Sequence, residues 1–492
     1  MNENIEMITK AFEEKRYLQA QLAAEKAVAE EPLNVMAWVY LGEALLHQEY
    51  GTAARKAFQR ALLLDPEASW KQTVFKKLED TPGGPEMKEI DPLLAVEPVR
   101  IAAVVIAKND EHRIKRCLES LVPAVDEIVL VNYGSTDKTV EMASSVPKVR
   151  IVQTEWDNNF AAVRNAGLEG LEADWALFVD PDEVLYAEDV EAVRQAAGLF
   201  ERFAGVKVLE ILHVTTAESG LQRVDMKERL FPVNKGLSFH GRIYERVGRI
   251  NEEGKWTHNF PHPIVNIRLE KERLEESELK KKDRVIGNLT MLRSMIEEEP
   301  DEPSWPLFYA REHLLAGGQI DEALRYLELA ENRSDNAPEF DKILDVYVLQ
   351  AKLNMQLGST QAAELACRKA LEQAPDYPDA HFLLAHIRMD QAVRLVANAE
   401  EHFRRAKAGF TTYRGTVPAD DRIRSLLADL GIADLLLRSG QLAEAANIYR
   451  AYAANYPNME RITKMLAHIE EQQAALNKLS AESKPANGGE QA

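Results

Sequence analysis

The apolar residues of this chain fall into two patterns. From about residue 97 to residue 268 they form short solid blocks separated by amphipathic stretches, and on either side they recur at helical spacing. In the middle region, residues 101–107 carry no polar position, which predicts a strand buried on both faces. Residues 111–121 are helical in period, 127–131 form a second apolar strand, and Gly134-Ser135-Thr136-Asp137 turns the chain into a helix ending near Ser145. A strand over 149–154, a helix over 160–171 and a strand over 175–180 complete the series. Such alternation implies right-handed crossovers and a largely parallel sheet, with the ligand site outside the carboxyl ends of the strands. Neither G-x-G-x-x-G nor G-x-x-x-x-G-K-[ST] follows the first strand, so a dinucleotide fold and a P-loop have no support.

In the helical flank before it, Pro32 and Pro66 stand 34 residues apart with Trp38, Leu41, Gly42, Leu45, Ala54, Phe58 and Ala61 between them. This resembles the tetratricopeptide repeat, with Leu45 where an aromatic is commoner. Ala54 allows the second helix to approach the Gly42 face of the first, Phe58 fills the gap, and Pro66 ends the pair. Ala20, Ala24 and Ala27 take matching places one period earlier, and a third helix over 67–78 closes the unit before Asp80-Thr-Pro-Gly-Gly-Pro85. Beyond residue 300 the pattern returns at Ala323, Leu327 and Ala330, then at Tyr347, Ala351, Ala363, Cys367, Ala370 and Pro375. Ala399, Phe403 and Ala406 form a further set with about two extra residues in its turn, and Leu436, Ala445, Tyr449 and Pro457 form the last. Five or six repeats are expected. Stacked helical pairs expose a groove suited to an extended peptide, or serve only to fix neighbouring domains.

Charge narrows the class of partner. With 60 Lys and Arg against 80 Asp and Glu the net charge is −20, which speaks against general binding to nucleic acid or anionic membranes. A phosphate-bearing ligand would have to be met locally. The two cysteines, Cys117 and Cys367, fall in different expected domains and can form neither a disulfide framework nor a zinc cluster, so a metal would take oxygen or histidine ligands. No run reaches the roughly 18 to 20 apolar residues of a membrane span, and the first ten residues lack a basic-then-apolar leader, so a cytoplasmic protein is expected.

The strands end in Lys108-Asn109-Asp110-Glu111, in Asn132-Tyr133-Gly134-Ser135-Thr136-Asp137, and in Asp180-Pro181-Asp182-Glu183, with Arg164-Asn165 on the helix between. In extended geometry Asp180 and Asp182 share a face, which suits a hard divalent cation, although acidic turns of this kind also occur without one. Together with Ala107, Trp156, Phe160, Asp174-Trp175, Arg229-Leu230-Phe231 and Phe239-His240-Gly241-Arg242-Ile243-Tyr244-Glu245, this order resembles the family 2 glycosyltransferases of the GT-A fold, in the branch that carries tetratricopeptide repeats. The resemblance covers about residues 99–268. It implies that Asn109, Glu111 and the loop of Asn132, Gly134 and Ser135 hold the nucleoside, that Ala107 and Asp137 belong to the same nucleotide-sugar site, and that Arg164 and Arg229 lie near the diphosphate. It also implies that Asp180 and Asp182 meet ribose and a Mn2+ or Mg2+ ion, with His262 as a third metal ligand. Two positions depart from the family, which usually has Asp at Asn132 and His at Tyr244.

The activity so implied is an inverting transfer from a UDP-sugar, which needs charge neutralisation at the leaving diphosphate and a general base for the acceptor. Glu245 is the candidate base, Asp225 and Glu228 are alternatives, and a plain ion pair of Glu245 with Arg242 or Arg246 is the competing structural role. Repeats on both sides of a catalytic domain suit a polypeptide Ser/Thr acceptor, such as a flagellin-like protein. A surface polysaccharide or lipid acceptor and a non-catalytic scaffold are the alternatives. The expected layout is repeats over 1–82, a linker over 83–97, an α/β GT-A domain over 98–270, all-α repeats over 271–475 and a disordered tail over 476–492.

Overall fold

The computed structural model describes residues 3–81, 83–203, 205–216, 222–272 and 278–482, and it divides into two compact units, 1–341 and 342–492. Helices α1 (Glu3–Glu13), α2 (Tyr17–Glu30), α3 (Val35–Leu46), α4 (Gly51–Leu64) and α5 (Lys71–Asp80) open the first unit. The Asn34 side chain caps α3 by accepting from the Ala37 N–H at 3.1 Å. A Cβ on Gly42 would lie 2.7 Å from the Phe58 ring, so only glycine admits α4 this close to α3. Trp38 is fully buried and its indole donates to the Pro32 carbonyl at 2.8 Å, which ties the repeat's aromatic to its bounding proline.

After the short helix α6 (Asp91–Leu94) come β1 (Ile101–Ala107), α7 (Ile114–Leu121), β2 (Glu127–Asn132), α8 (Thr139–Ser144), β3 (Val149–Gln153), α9 (Phe160–Leu168), β4 (Trp175–Val179), β5 (Glu183–Leu185) and α10 (Val190–Glu201). Strands β6 (Leu209–Thr216), β7 (Gln222–Pro232), β8 (Ser238–His240), β9 (Arg246–Ile250), β10 (Trp256–Thr257) and β11 (Ile264–Lys271) follow. The main sheet has the order β3-β2-β1-β4-β7-β6-β11-β5. Its first four strands are parallel, as the block pattern predicts. β7 is antiparallel to both β4 and β6, so the sheet becomes mixed beyond β4. Strands β8 to β10 form a small separate sheet.

All seven residues of β1 are buried because both faces of the sheet are covered. On one face Ala103, Val105 and Ala107 share a core with α7 and α10, and Leu63 of α4 enters it, so the N-terminal repeats pack into the core of the α/β domain. On the other face Val104 and Ile106 meet α9, Phe239 and Val247. Helices α11 (Glu278–Glu298), α12 (Ser304–Leu315) and α13 (Ile320–Ser334) complete this unit.

The second unit contains α14 (Ile343–Gln356), α15 (Thr360–Gln373), α16 (Pro378–Thr412), α17 (Ala428–Arg438), α18 (Leu442–Ala453) and α19 (Glu460–Glu482). Here one expectation is corrected. The set Ala399, Phe403 and Ala406 has no turn before it, since α16 runs unbroken for 35 residues. Residues 388–399 hold neither Gly nor Pro, and nothing there interrupts the helix. Helix α19 continues past residue 476, where the tail was expected to begin, and 483–492 lie outside the described residues. Among the described residues no helix is long and apolar enough to cross a membrane. Phe58→Ala is expected to lower stability by about 3–5 kcal/mol in urea denaturation, because its ring is fully enclosed and cannot be replaced by collapse around Gly42.

Candidate active site

The carboxyl ends of β1 and β2 are stitched together by short polar side chains. Asn109, in the left-handed region at φ +59°, donates its N–H to Ser135 Oγ at 3.1 Å and accepts from the Thr136 N–H at 2.8 Å. Glu111 accepts from the Lys138 N–H at 2.9 Å, and Asp137 accepts from the N–H groups of Glu111 and Thr139 at 3.2 and 3.0 Å. Burial opposes ionisation of Asp137, but the Thr139 hydroxyl, followed by these N–H donors, outweighs it and holds the carboxyl below the usual range. Asn132 donates to Gln153 at 2.6 Å and accepts from the Ser135 N–H at 3.1 Å, so its amide uses both a donor and an acceptor. Gly134 takes φ +103° at the tip of the loop, and Ala107 is buried at the base of it. The side chains expected on the nucleoside side therefore also organise the two loops that would face it. Beside them Tyr133, Trp156 and Phe160 form a cluster with ring centroids 4.7 to 6.2 Å apart, and burial followed by the Asp110 charge pushes the Tyr133 phenol up to about 12.

At the end of β4 the chain makes a turn in which the Glu183 N–H donates to the Asp180 carbonyl at 3.0 Å. Asp180 and Asp182 are thus turn positions, where extended geometry was expected. The turn still brings carboxylate oxygens of Asp180, Asp182 and Glu183 within 4.8 Å of one another. Asp180 accepts from Arg164 Nη2 at 2.9 Å and from Arg229 Nη2 at 2.6 Å, and the two arginines come from α9 and β7 with only 6% exposure each. Burial alone would raise the Asp180 carboxyl, and the two guanidinium groups overcome it and hold the carboxyl well below the usual range. Arg164 also donates through Nε to Glu245 at 2.5 Å, while its Nη1 has no hydrogen-bond partner among the described residues.

Glu245 therefore pairs with neither of the arginines adjacent in sequence, since Arg242 bonds Glu298 and Arg246 bonds Asp341. Asp182 is weakly compensated, with Lys271 at 3.4 Å, and burial pushes its carboxyl up. Glu183, which the motif alone did not single out as a site residue, is fully buried. It accepts from the Asp180 N–H at 2.9 Å and lies 2.7 Å from Nδ1 of the buried His213. Its signal was a carboxylate at the head of an otherwise apolar strand. His262 is a correction: it groups with Glu210 and Glu228, its Nδ1 3.3 Å from Glu228 and its Nε2 on the His258 carbonyl at 3.1 Å. The antiparallel pairing of β6 with β7 puts Glu210 opposite Glu228, and this draws His262 to them instead of to the Asp180 turn.

Three hard oxygen donors, one of them an under-compensated carboxylate, fit Mn2+ or Mg2+ at Asp180, Asp182 and Glu183. The same charge pattern sets a stability contrast. Asp180→Asn, which takes the close carboxylate from the buried Arg229 and leaves Arg164 with Glu245 alone, is expected to cost about 3–5 kcal/mol in urea denaturation with EDTA. Asp182→Asn is expected to stay within about 1 kcal/mol of the parent or to exceed it, because the ionised form is already disfavoured by burial.

The family model of glycosyl transferase family 2 matches residues 102–246, and that of the tetratricopeptide repeat matches 7–70 and 348–413. The SPbeta prophage-derived glycosyltransferase SunS of Bacillus subtilis (strain 168) is 28% identical over 259 residues, 52% of this chain and 59% of that protein. Glycosyltransferase GlyA of Streptococcus pneumoniae serotype 4 is 28% identical over 187 residues, 32% of this chain and 27% of that protein. The chain thus spans little more than half the length of the first relative. A solved glucosyl-3-phosphoglycerate synthase from Mycobacterium tuberculosis, in complex with Mn2+ and uridine-diphosphate, aligns over 23% of this chain and 44% of its own at 22% identity. Its TM-score of 0.21 is too low for that alignment to bear on the site. The strand-end loops, the acidic turn and the flanking helical pairs agree with the family models: the chain carries a glycosyl transferase family 2 domain between tetratricopeptide repeats.

Proposed function

We propose that the protein transfers a sugar, with inversion, from a UDP-sugar to a Ser/Thr hydroxyl of a polypeptide. The observation that carries this reading is the junction at Arg164, which touches Asp180 on one side and Glu245 on the other. Groups able to neutralise a diphosphate and a carboxylate able to take an acceptor proton thereby meet at one point. Arg164 and Arg229 would engage the leaving diphosphate, and the unpartnered Nη1 of Arg164 leaves a buried donor for it. An incoming diphosphate competes with Asp180 and Glu245 for the same guanidinium, which frees carboxylate oxygens beside the reacting centre. Asp182, with Asp180 and Glu183, would hold the divalent ion, which when bound supplies charge neutralisation at the leaving group. Glu245 would accept the proton of the acceptor hydroxyl. The polypeptide acceptor is supported by the repeats on both sides of the domain, because such stacks commonly bind peptides.

The alternative of a decayed site is weakened by Asn132 and Tyr244, both of which complete hydrogen bonds that depend on their own side chains. Incubation with labelled UDP-sugars and cytosolic protein, followed by intact-mass analysis, is expected to show mass added to protein; label found only in lipid or free oligosaccharide would sink the polypeptide acceptor. Glu245→Gln is expected to lower transfer by about 10²–10⁴-fold while metal-dependent UDP binding, read as a thermal shift, persists. For Asp182→Ala, both UDP binding and transfer should be lost, and a retained thermal shift would remove the metal role from this turn.

A further inference from the structure

We infer that Tyr244 and Glu312 form a positioning clamp through which the helices following the α/β domain set the place of Glu245. The loop between β8 and β9 contains two residues in the left-handed region, Gly241 at φ +99° and Tyr244 at φ +54°. Glycine adopts that conformation freely, whereas a tyrosine there costs about 1–3 kcal/mol and persists only where its surroundings hold it. The surroundings are on α12. The Tyr244 ring stacks on Phe308 with centroids 4.6 Å apart, and its hydroxyl donates to Glu312, one helical turn further along. Glu312 is only 2% exposed, and its Oε2 has no hydrogen-bond partner among the described residues. A buried carboxylate so sparsely paired makes the tyrosine hydroxyl a strong anchor, because losing it would leave the charge without its donor. Neither phenylalanine nor an aliphatic residue could take this place.

The neighbouring residues repeat the arrangement in alternation. His240 Nε2 lies 2.8 Å from Glu299, which also accepts from the Trp305 indole at 2.9 Å. Arg242 forms two bonds to Glu298 at 2.8 and 3.2 Å, and Arg246 reaches Asp341 at 3.2 Å. A Cβ on Gly241 would lie 3.0 Å from the Trp305 ring, so the loop rests directly against α12. Residues 240, 242, 244 and 246 thus bind the helical side, and Glu245 between them reaches Arg164. The Arg242 carbonyl further accepts from the Phe160 N–H at 2.8 Å, which fixes the loop to the start of α9, the helix that carries Arg164. Were Tyr244 to relax to an ordinary conformation, the following peptide would rotate and move Glu245 off the guanidinium. A displacement of about 1 Å at a reacting group can cost about 10²-fold in rate. On this view α11 and α12 are a wall of the catalytic centre and more than a spacer before the repeats.

The inference rests on the transferase reading for its effect on rate, and on the loop geometry alone for its effect on order. Full-length Tyr244→Phe, Glu312→Leu, Glu312→Gln and the Tyr244→Phe/Glu312→Leu pair would be compared by hydrogen–deuterium exchange over 240–247 and by UDP release from UDP-glucose and from UDP-N-acetylglucosamine with Mn2+. Faster exchange confined to this loop is expected in Tyr244→Phe and Glu312→Leu, with kcat lowered about tenfold or more and the donor KM within about twofold. The pair should be no worse than either single variant, since both remove one interaction. Glu312→Gln, which keeps a hydrogen-bond acceptor, should restore the exchange and most of the rate. Unchanged exchange in Tyr244→Phe would overturn the clamp, as would a loosened loop with an unaltered rate or additive losses in the pair. Should Glu312→Leu fail to fold, Tyr244→Phe decides the matter, because it keeps the ring on Phe308. If the parent releases UDP from neither donor, these two sugars are not its donors under hydrolysis by water, and the exchange data still decide whether the clamp exists.

Discussion

The carboxylate of Asp180 sits at the end of a central strand with a guanidinium on either side, one from α9 and one from β7. Three separately encoded elements must arrive in register for that contact to form, and the two guanidinium groups are too buried to be left without a carboxylate. The pairing orders the α9 face, where Arg164 also stacks near Phe178 and Phe239, and it orders the antiparallel entry of β7 beside β4. It also decides what the acidic turn presents: Asp180 is compensated, Asp182 only weakly so by Lys271, and Glu183 is buried as a brace for the Asp180 backbone. Removing this ionic junction would leave the sheet without a reason to carry charge at its centre.

The helical parts contribute unequally. The N-terminal pair shares a core with the sheet through Leu63, and α11 and α12 grip the loop that carries Glu245. The N-terminal pair is built as repeats are built, with glycine against aromatic at Gly42 and Phe58, yet it packs as a wall of the α/β domain. The second unit follows the same packing rule, with Gly431 against Phe403, where a Cβ would come within 2.5 Å of the ring. There the rule operates inside one long helix and its neighbour, without the turn that the spacing called for.

The strands and crossover helices of the first half of the domain were legible in the chain because each block is apolar on every position and is bounded by turn residues. β1, β4 and α9 begin where that pattern begins, and the residues of the acidic turn and of the Gly134 loop were visible as polar interruptions at strand ends. The mixed half of the sheet was less legible. β7 holds Arg229, Glu228 and Lys227 within a strand, and no periodicity announces which of them faces Asp180. The start of α7 at Ile114 instead of residue 111 follows from Glu111 and Asp110 being spent on the neighbouring loop.

Local pattern thus carried the order of elements in the parallel half, the repeats at both ends and the polar residues at the strand ends, since these depend on residue type at short spacing. Which partner each charge takes could not be read that way. Glu245 passes over Arg242 and Arg246 for an arginine 81 positions away, and His262 joins Glu228 because β6 and β7 pair as they do. Tyr244, a departure from the family at a single position, acquires its meaning from a buried carboxylate on a helix 68 residues later. Such choices are settled by chain segments meeting in a medium of low polarity, where a buried charge accepts whichever complement the packing delivers.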